Sequence, residues 1–103
     1  MFIAQELALS ANKGLRPLVD KKDSHLADQV RRAGVRSCLN IAEANKLAKG
    51  NRNAKFRLAH GEANEARVGL QLAIAWSYLT EAETADVDAT LDRLGGMLFS
   101  LTN

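Results

Sequence analysis

Apolar residues recur every three or four positions along most of the chain, and runs of alternating β-branched residues do not occur. That period predicts helices and no strands. Four segments can be phased at 100° steps. The first covers about residues 2–22, with Ile3, Leu7, Ala11, Leu15 and Leu18 on one side. Leu18 keeps the phase set before Pro17, so the helix is expected to continue through the proline with a kink. The second covers about 25–47 behind an Asp23 or Ser24 cap. Leu26, Val30, Ala33, Ser37, Ile41 and Ala44 share one face, and Val35, Leu39 and Ala42 form a weaker apolar patch nearly opposite, flanked by Arg32, Arg36 and Glu43. The third covers about 53–79, capped by Asn53. Phe56, Ala59, Ala63, Ala66, Leu70 and Ile74 lie on one side of it, and Leu58, Gly61, Val68, Leu72, Trp76 and Leu79 on the other. His60, Asn64, Arg67, Gln71 and Tyr78 leave only a narrow polar strip. A helix apolar on two faces has to be covered on both. In a bundle of four helices one neighbour layer covers one face, which predicts a second chain on the other.

Thr80-Glu81-Ala82-Glu83 is a capping box and starts a fourth helix over about 81–101, with Val87, Leu91, Leu94, Leu98 and Leu101 on a single face. Glu81, Glu83, Asp86 and Asp88 in its first turns suit the positive end of the helix dipole. Gly95 and Gly96 weaken it by roughly 1 kcal/mol each relative to Ala. Four helices with short connections predict one all-α domain, an antiparallel up-down-up-down four-helix bundle. A length of 103 residues fits one domain over 1–103, large enough for a core.

Net charge is +2, but its distribution is uneven. Residues 1–57 carry twelve Lys/Arg against five Asp/Glu, and residues 58–103 carry two against seven. Two readings follow: the halves attract each other within or between chains, or a basic surface meets a polyanion. The cations concentrate in Lys46, Lys49, Arg52, Lys55 and Arg57, around Gly50 and three Asn, on what the pattern places as a helix–helix loop. Either it is a solvated connection, or it contacts phosphates. Flexible Lys and Arg without aromatic partners suit backbone contact and not base readout. Cys38 has no partner for an internal disulfide, which favours a reducing compartment. With no membrane-spanning run and no signal-peptide layout, the expectation is cytoplasmic.

Reaction chemistry finds no constellation. His25 and His60 lack ligand-spaced partners, Glu62 and Glu65 are not joined by a Glu-x-x-His, Cys38 has no phased His, and no Gly-rich phosphate loop occurs. A non-enzyme without cofactor or metal is expected. Asn40, Glu43 and Glu65 therefore read as structural polar contacts. Glu65 either reaches water from a helix edge or pairs, partly buried, with Arg32 or Arg36. Glu43 has Lys46 three residues on, or an Arg across an interface.

The run "LADQVRRAGVRSCLNIAEANK", residues 26–46, resembles the helix-two motif of bacterial four-helix-bundle proteins encoded in intervening sequences of large-subunit (23S) ribosomal RNA genes. Gln29, Arg32, Ala33, Ser37, Asn40, Ile41, Ala42 and Glu43 carry the match, and Ala59, Gly61 and Glu65 match a second motif on helix three. Ala44 stands where the family has Gly, and Glu62 where it has Ser. The resemblance implies a ring-like homopentamer. A related branch, the accessory protein of diversity-generating retroelements, implies a basic barrel that meets nucleic acid and a reverse transcriptase. Together with the charges, this gives the expected function: an oligomeric scaffold binding RNA or DNA without sequence preference, through Arg32, Arg36, Lys46, Lys49, Arg52, Lys55 and Arg57. The alternative is a structural or protein-binding oligomer whose basic half is compensated within the assembly.

Overall fold

The computed structural model describes residues 2–18 and 23–102. These form four helices, α1 (Phe2–Leu18), α2 (Ser24–Ala44), α3 (Lys49–Ala75) and α4 (Glu81–Thr102), with no strand among the described residues. Each helix packs on two others: α1 on α2 and α4, α3 on α2 and α4. Among the described residues the backbones of the diagonal pairs α1–α3 and α2–α4 do not come within 8 Å, and their side chains meet in the common core. The 27 residues of α3 span roughly 40 Å, close to the 43 Å long axis of the molecule.

The core is built largely of alanine: Ala4, Ala8 and Ala11 of α1, Ala33 and Ala44 of α2, Ala59, Ala63 and Ala66 of α3. Leu15, Ile41, Phe56, Leu70, Leu91, Leu94 and Leu98 fill the space between. Small residues let helix axes approach closely, and two glycines mark the tightest places. A Cβ on Gly34 would lie 2.6 Å from Asn12 Oδ1 and 2.9 Å from Leu15 Cδ1. One on Gly69 would collide with Val30 Cγ2. Asn12 seals the α1–α2 contact by donating from Nδ2 to the carbonyls of Ala8 (2.8 Å) and Gly34 (2.9 Å).

Two expected caps are in place. Asp23 accepts from the amides of His25 and Leu26 at 3.1 and 3.0 Å, and so starts α2. Thr80 and Glu83 exchange bonds as a capping box at the head of α4: the Thr80 amide donates to Glu83 Oε1 and the Glu83 amide to Thr80 Oγ1.

Other expectations are corrected. The buried stripe of α1 is Ala4–Ala8–Ala11–Leu15, while Ile3 is 57% exposed and Leu7 only partly buried. The smaller alanines take the close contact and turn the larger chains to the edge. Leu101 of α4 is likewise exposed, and Thr84 extends that helix's buried stripe instead. Residues 19–22, expected to prolong α1, and the side chain of Leu18 lie outside the described residues. Asn53 is no cap: α3 begins four residues earlier, behind Ala48, which makes no side-chain cap bond. Helix α2 ends at Ala44, so the connection shrinks to residues 45–48. The earlier start puts the amides of 52–53 into the helix ladder, beginning with Arg52 N to Ala48 O at 2.8 Å. At its other end α3 stops at Ala75, where Ser77 adopts φ 63°. The amides of Ser77 and Tyr78 return to the carbonyls of Ile74 and Ala73, a left-handed C-terminal cap without glycine.

Candidate nucleic-acid interface

The basic stretch expected as a loop is mostly helix. Only Lys46 lies in the connection, whereas Lys49, Arg52, Lys55 and Arg57 occupy the first turns of α3. Lys55 and Arg57 are two residues apart and so project about 200° apart around the helix. The cations surround the head of α3 and do not line one groove. Lys49 and Arg52 sit at the positive end of the helix dipole, in a first turn that contains no acid of its own. That corner is suited to anions.

Glu43 of α2 reaches into this cluster. Its partner is Lys55 at 2.8 Å, not Lys46 as the spacing had offered. The Lys55 ammonium holds the Glu43 carboxyl below its usual value, by hydrogen bond and by charge, with a smaller pull from Lys46. Lys46, Lys49 and Arg57 are exposed and make no ion pair among the described residues.

Arg32 and Arg36 stand apart from this corner. Arg32 pairs with Asp28 one turn earlier at 2.9 Å. Arg36 reaches across to α3, with Nε to Glu62 Oε2 at 3.2 Å and Nη2 to Glu65 Oε2 at 3.6 Å. The expected pairing of Glu65 with Arg36 is present, but Glu65 is 54% exposed, so the pair lies at the surface and the buried-acid reading fails. Glu62, more buried at 22%, is the partner that residue pattern did not single out. Asn40 is half-buried and makes no side-chain hydrogen bond among the described residues. Cys38 is half-buried, its Sγ accepting from Gln5 Nε2 at 3.1 Å, and burial pushes its thiol pKa up.

A second feature escaped the sequence. Arg67 of α3 forms a two-pronged pair with Asp88 (2.9 and 3.1 Å) and a bond to Asp92 (2.9 Å). The hydrogen bond that Arg67 donates to Asp88 raises the guanidinium pKa more than burial lowers it. The visible signal was the i,i+4 acid pair on α4 and the lone cation in the polar strip of α3. Beside it an open groove of about 330 Å³ runs between α3 and α4, lined by His60, Asn64, Arg67, Asp92, Gly96 and Phe99 among others. No three His, Cys, Asp or Glu side chains among the described residues could jointly hold a metal ion. Among the described residues no helix is long and apolar enough to cross a membrane.

These features define an all-α four-helix domain with a basic corner and bare apolar sides. The chain belongs to the 23S rRNA-intervening sequence protein family, whose model matches residues 3–100. The fold is shared with a crystal structure of a protein of unknown function from the S23 ribosomal protein family of Bacteroides thetaiotaomicron. The two are 22% identical, with a TM-score of 0.91 over 97% of this chain and 98% of the other. No curated protein matches the chain.

Proposed function

We propose that this protein is a non-enzymatic, cytoplasmic scaffold. Antiparallel up-down-up-down bundles assemble into a ring-like homo-oligomer, of five chains as the family resemblance implies, and a basic surface of the assembly binds RNA or DNA without sequence preference. One observation carries the nucleic-acid reading: five cations gather at the α2–α3 corner, and three of them, Lys46, Lys49 and Arg57, are exposed and make no ion pair among the described residues. Arg36 of the basic half pairs with Glu62 and Glu65 away from this corner, while Arg67 takes Asp88 and Asp92 within the acidic half. Repetition in a ring multiplies weak phosphate contacts into avidity, provided a strand spans several copies.

Assembly is supported by large apolar side chains left bare, Leu39, Leu58, Val68 and Trp76 among them. The same observation favours a second reading, a scaffold for protein partners alone, with a reverse transcriptase as the kind of partner the related branch implies. Anisotropy titrations of labelled oligonucleotides separate the two. Lys46→Glu/Lys49→Glu/Arg57→Glu is expected to lose binding with helicity and oligomer size unchanged. Undiminished binding by this variant overturns the role of the corner, and light scattering that shows only monomer overturns the assembly.

A further inference from the structure

We infer that Glu43 is a built-in competitor of the basic corner, and that Lys55 is a further phosphate contact which Glu43 holds occupied. The inference rests on the proposed nucleic-acid binding and concerns how that surface is restrained.

Glu43 lies in the last turn of α2 and is the only acid of residues 40–57, which carry five Lys/Arg. The C-terminal end of a helix dipole is negative and favours cations, yet the last turn of α2 has no basic residue and carries this acid. Helix energetics therefore give no reason for a carboxylate there. The reason lies across the corner. The carboxylate reaches α3, where Lys55 Nζ stands 2.8 Å from Glu43 Oε2. The charge of Lys46, three residues beyond Glu43, acts on the same carboxyl. One anion thus answers a lysine of the connection and a lysine of α3, as a phosphate oxygen on this surface would.

Exposure decides what the pair does. The Glu43 side chain is 59% exposed and that of Lys55 33%. A pair this open to water contributes little to stability. Its effect on the corner is larger in proportion. It takes Lys55 out of the set of unpaired cations, leaving Lys46, Lys49 and Arg57 as those that make no ion pair among the described residues. It also sets a carboxylate where an incoming strand would bring a like charge, and like charges brought together oppose binding. A strand that uses Lys55 has to displace Glu43 first. The competitor is tethered, so its effective concentration is fixed by the fold and not by the solution. Removing it releases a fourth cation for phosphate.

The test compares wild type, Glu43→Gln, Glu43→Gln/Lys55→Gln and Glu65→Gln, the last removing an exposed acid that pairs away from the corner. A short labelled single strand of mixed sequence, titrated by fluorescence anisotropy through a salt series, reads the number of phosphate contacts as a log–log slope. Circular dichroism and light scattering check that fold and assembly match across the set. Three contacts give a slope of about −2, and four about −2.8. Glu43→Gln is expected to steepen the slope by that step and to bind about fivefold tighter at about 0.1 M salt, a gain that disappears towards about 1 M. The double variant is expected to return to the wild-type slope, and Glu65→Gln to keep it. A slope unchanged in Glu43→Gln, a gain matched by Glu65→Gln, or a gain that survives the loss of Lys55 overturns the competitor while the basic corner stands. No binding at low salt by either wild type or Glu43→Gln overturns the corner and its restraint together.

Discussion

Replacing Gly69 with alanine should destabilise the protein, against the ordinary preference of helices. In an unobstructed helix interior the change gains about 1 kcal/mol. At Gly69 the added methyl would collide with Val30 Cγ2, at a separation real Cβ atoms essentially never show. Val30 is 3% exposed and β-branched in a helix, so one χ1 well dominates and it cannot swing aside. Helices α2 and α3 must then separate, and overpacking of this kind costs roughly 1–3 kcal/mol. Set against the propensity gain, this leaves Gly69→Ala less stable by up to about 2 kcal/mol. Gly61 is the control on the same helix. A Cβ there meets nothing within 4 Å, so Gly61→Ala should be more stable by about 1 kcal/mol. Urea unfolding followed by far-ultraviolet circular dichroism measures both, at one fixed protein concentration because association shifts apparent stability. Adding Val30→Ala to Gly69→Ala should cost at least about 1 kcal/mol less than Val30→Ala costs alone, since it removes the obstruction. Stabilisation by Gly69→Ala equal to that of Gly61→Ala would refute the close approach of α2 and α3.

Three further outcomes follow from local geometry. Ser77→Gly should raise stability by about 0.5–1 kcal/mol, because a residue held at φ 63° is relieved by losing its Cβ; denaturation midpoints check it, and an unchanged or lower midpoint contradicts the left-handed cap. Glu65→Ala should stay within about 0.5 kcal/mol of wild type, since its exposed pairing leaves Arg36 still bound to Glu62; a loss of several kcal/mol in the same assay would restore a buried role. The Lys55 contact lowers the Glu43 pKa in the folded chain, so its contribution is complete above the unfolded value near 4.3 and lost as pH falls through the folded one. The stability difference between wild type and Glu43→Gln should therefore be constant at neutral pH and shrink in acid, and a difference that grows in acid has the wrong sign.

Helix caps and core stripes could be read where the responsible residues are close in sequence and chemically loud. Asp23, and Thr80 with Glu83, sit within three residues of the amides they bind. The stripes of α2 and α3 contain Ile, Phe and Leu at helical spacing. In α1 the pattern misled by one position, because Ile3 outweighs Ala4 in hydrophobicity while the packing selects the smaller residue. The head of α3 was missed for a different reason. Lys49-Gly50-Asn51-Arg52-Asn53 has poor helix propensity and ends in a residue that imitates a cap, yet α3 starts at Lys49 and its first turns are tied to α2 by the Lys55–Glu43 pair. At the candidate interface the cations were visible, but their partners were not. Glu43 had two nearby lysines to choose from, and Arg67 finds Asp88 twenty-one residues away only because α3 and α4 pack together.

Salt dependence of nucleic-acid binding is the most direct measurement of the proposed function. A labelled single strand long enough to cross several copies, and a short one, are titrated with protein by fluorescence anisotropy from low to physiological salt. Three phosphate contacts per chain, by Lys46, Lys49 and Arg57, correspond to a log–log salt slope of about −2 on a single strand, steeper as more copies engage. The expected result is tighter binding of the long strand, little dependence on its sequence, and a slope that collapses in Lys46→Glu/Lys49→Glu/Arg57→Glu. No binding at low salt, or a slope the triple substitution leaves intact, contradicts a nucleic-acid scaffold and leaves the protein-only assembly in its place.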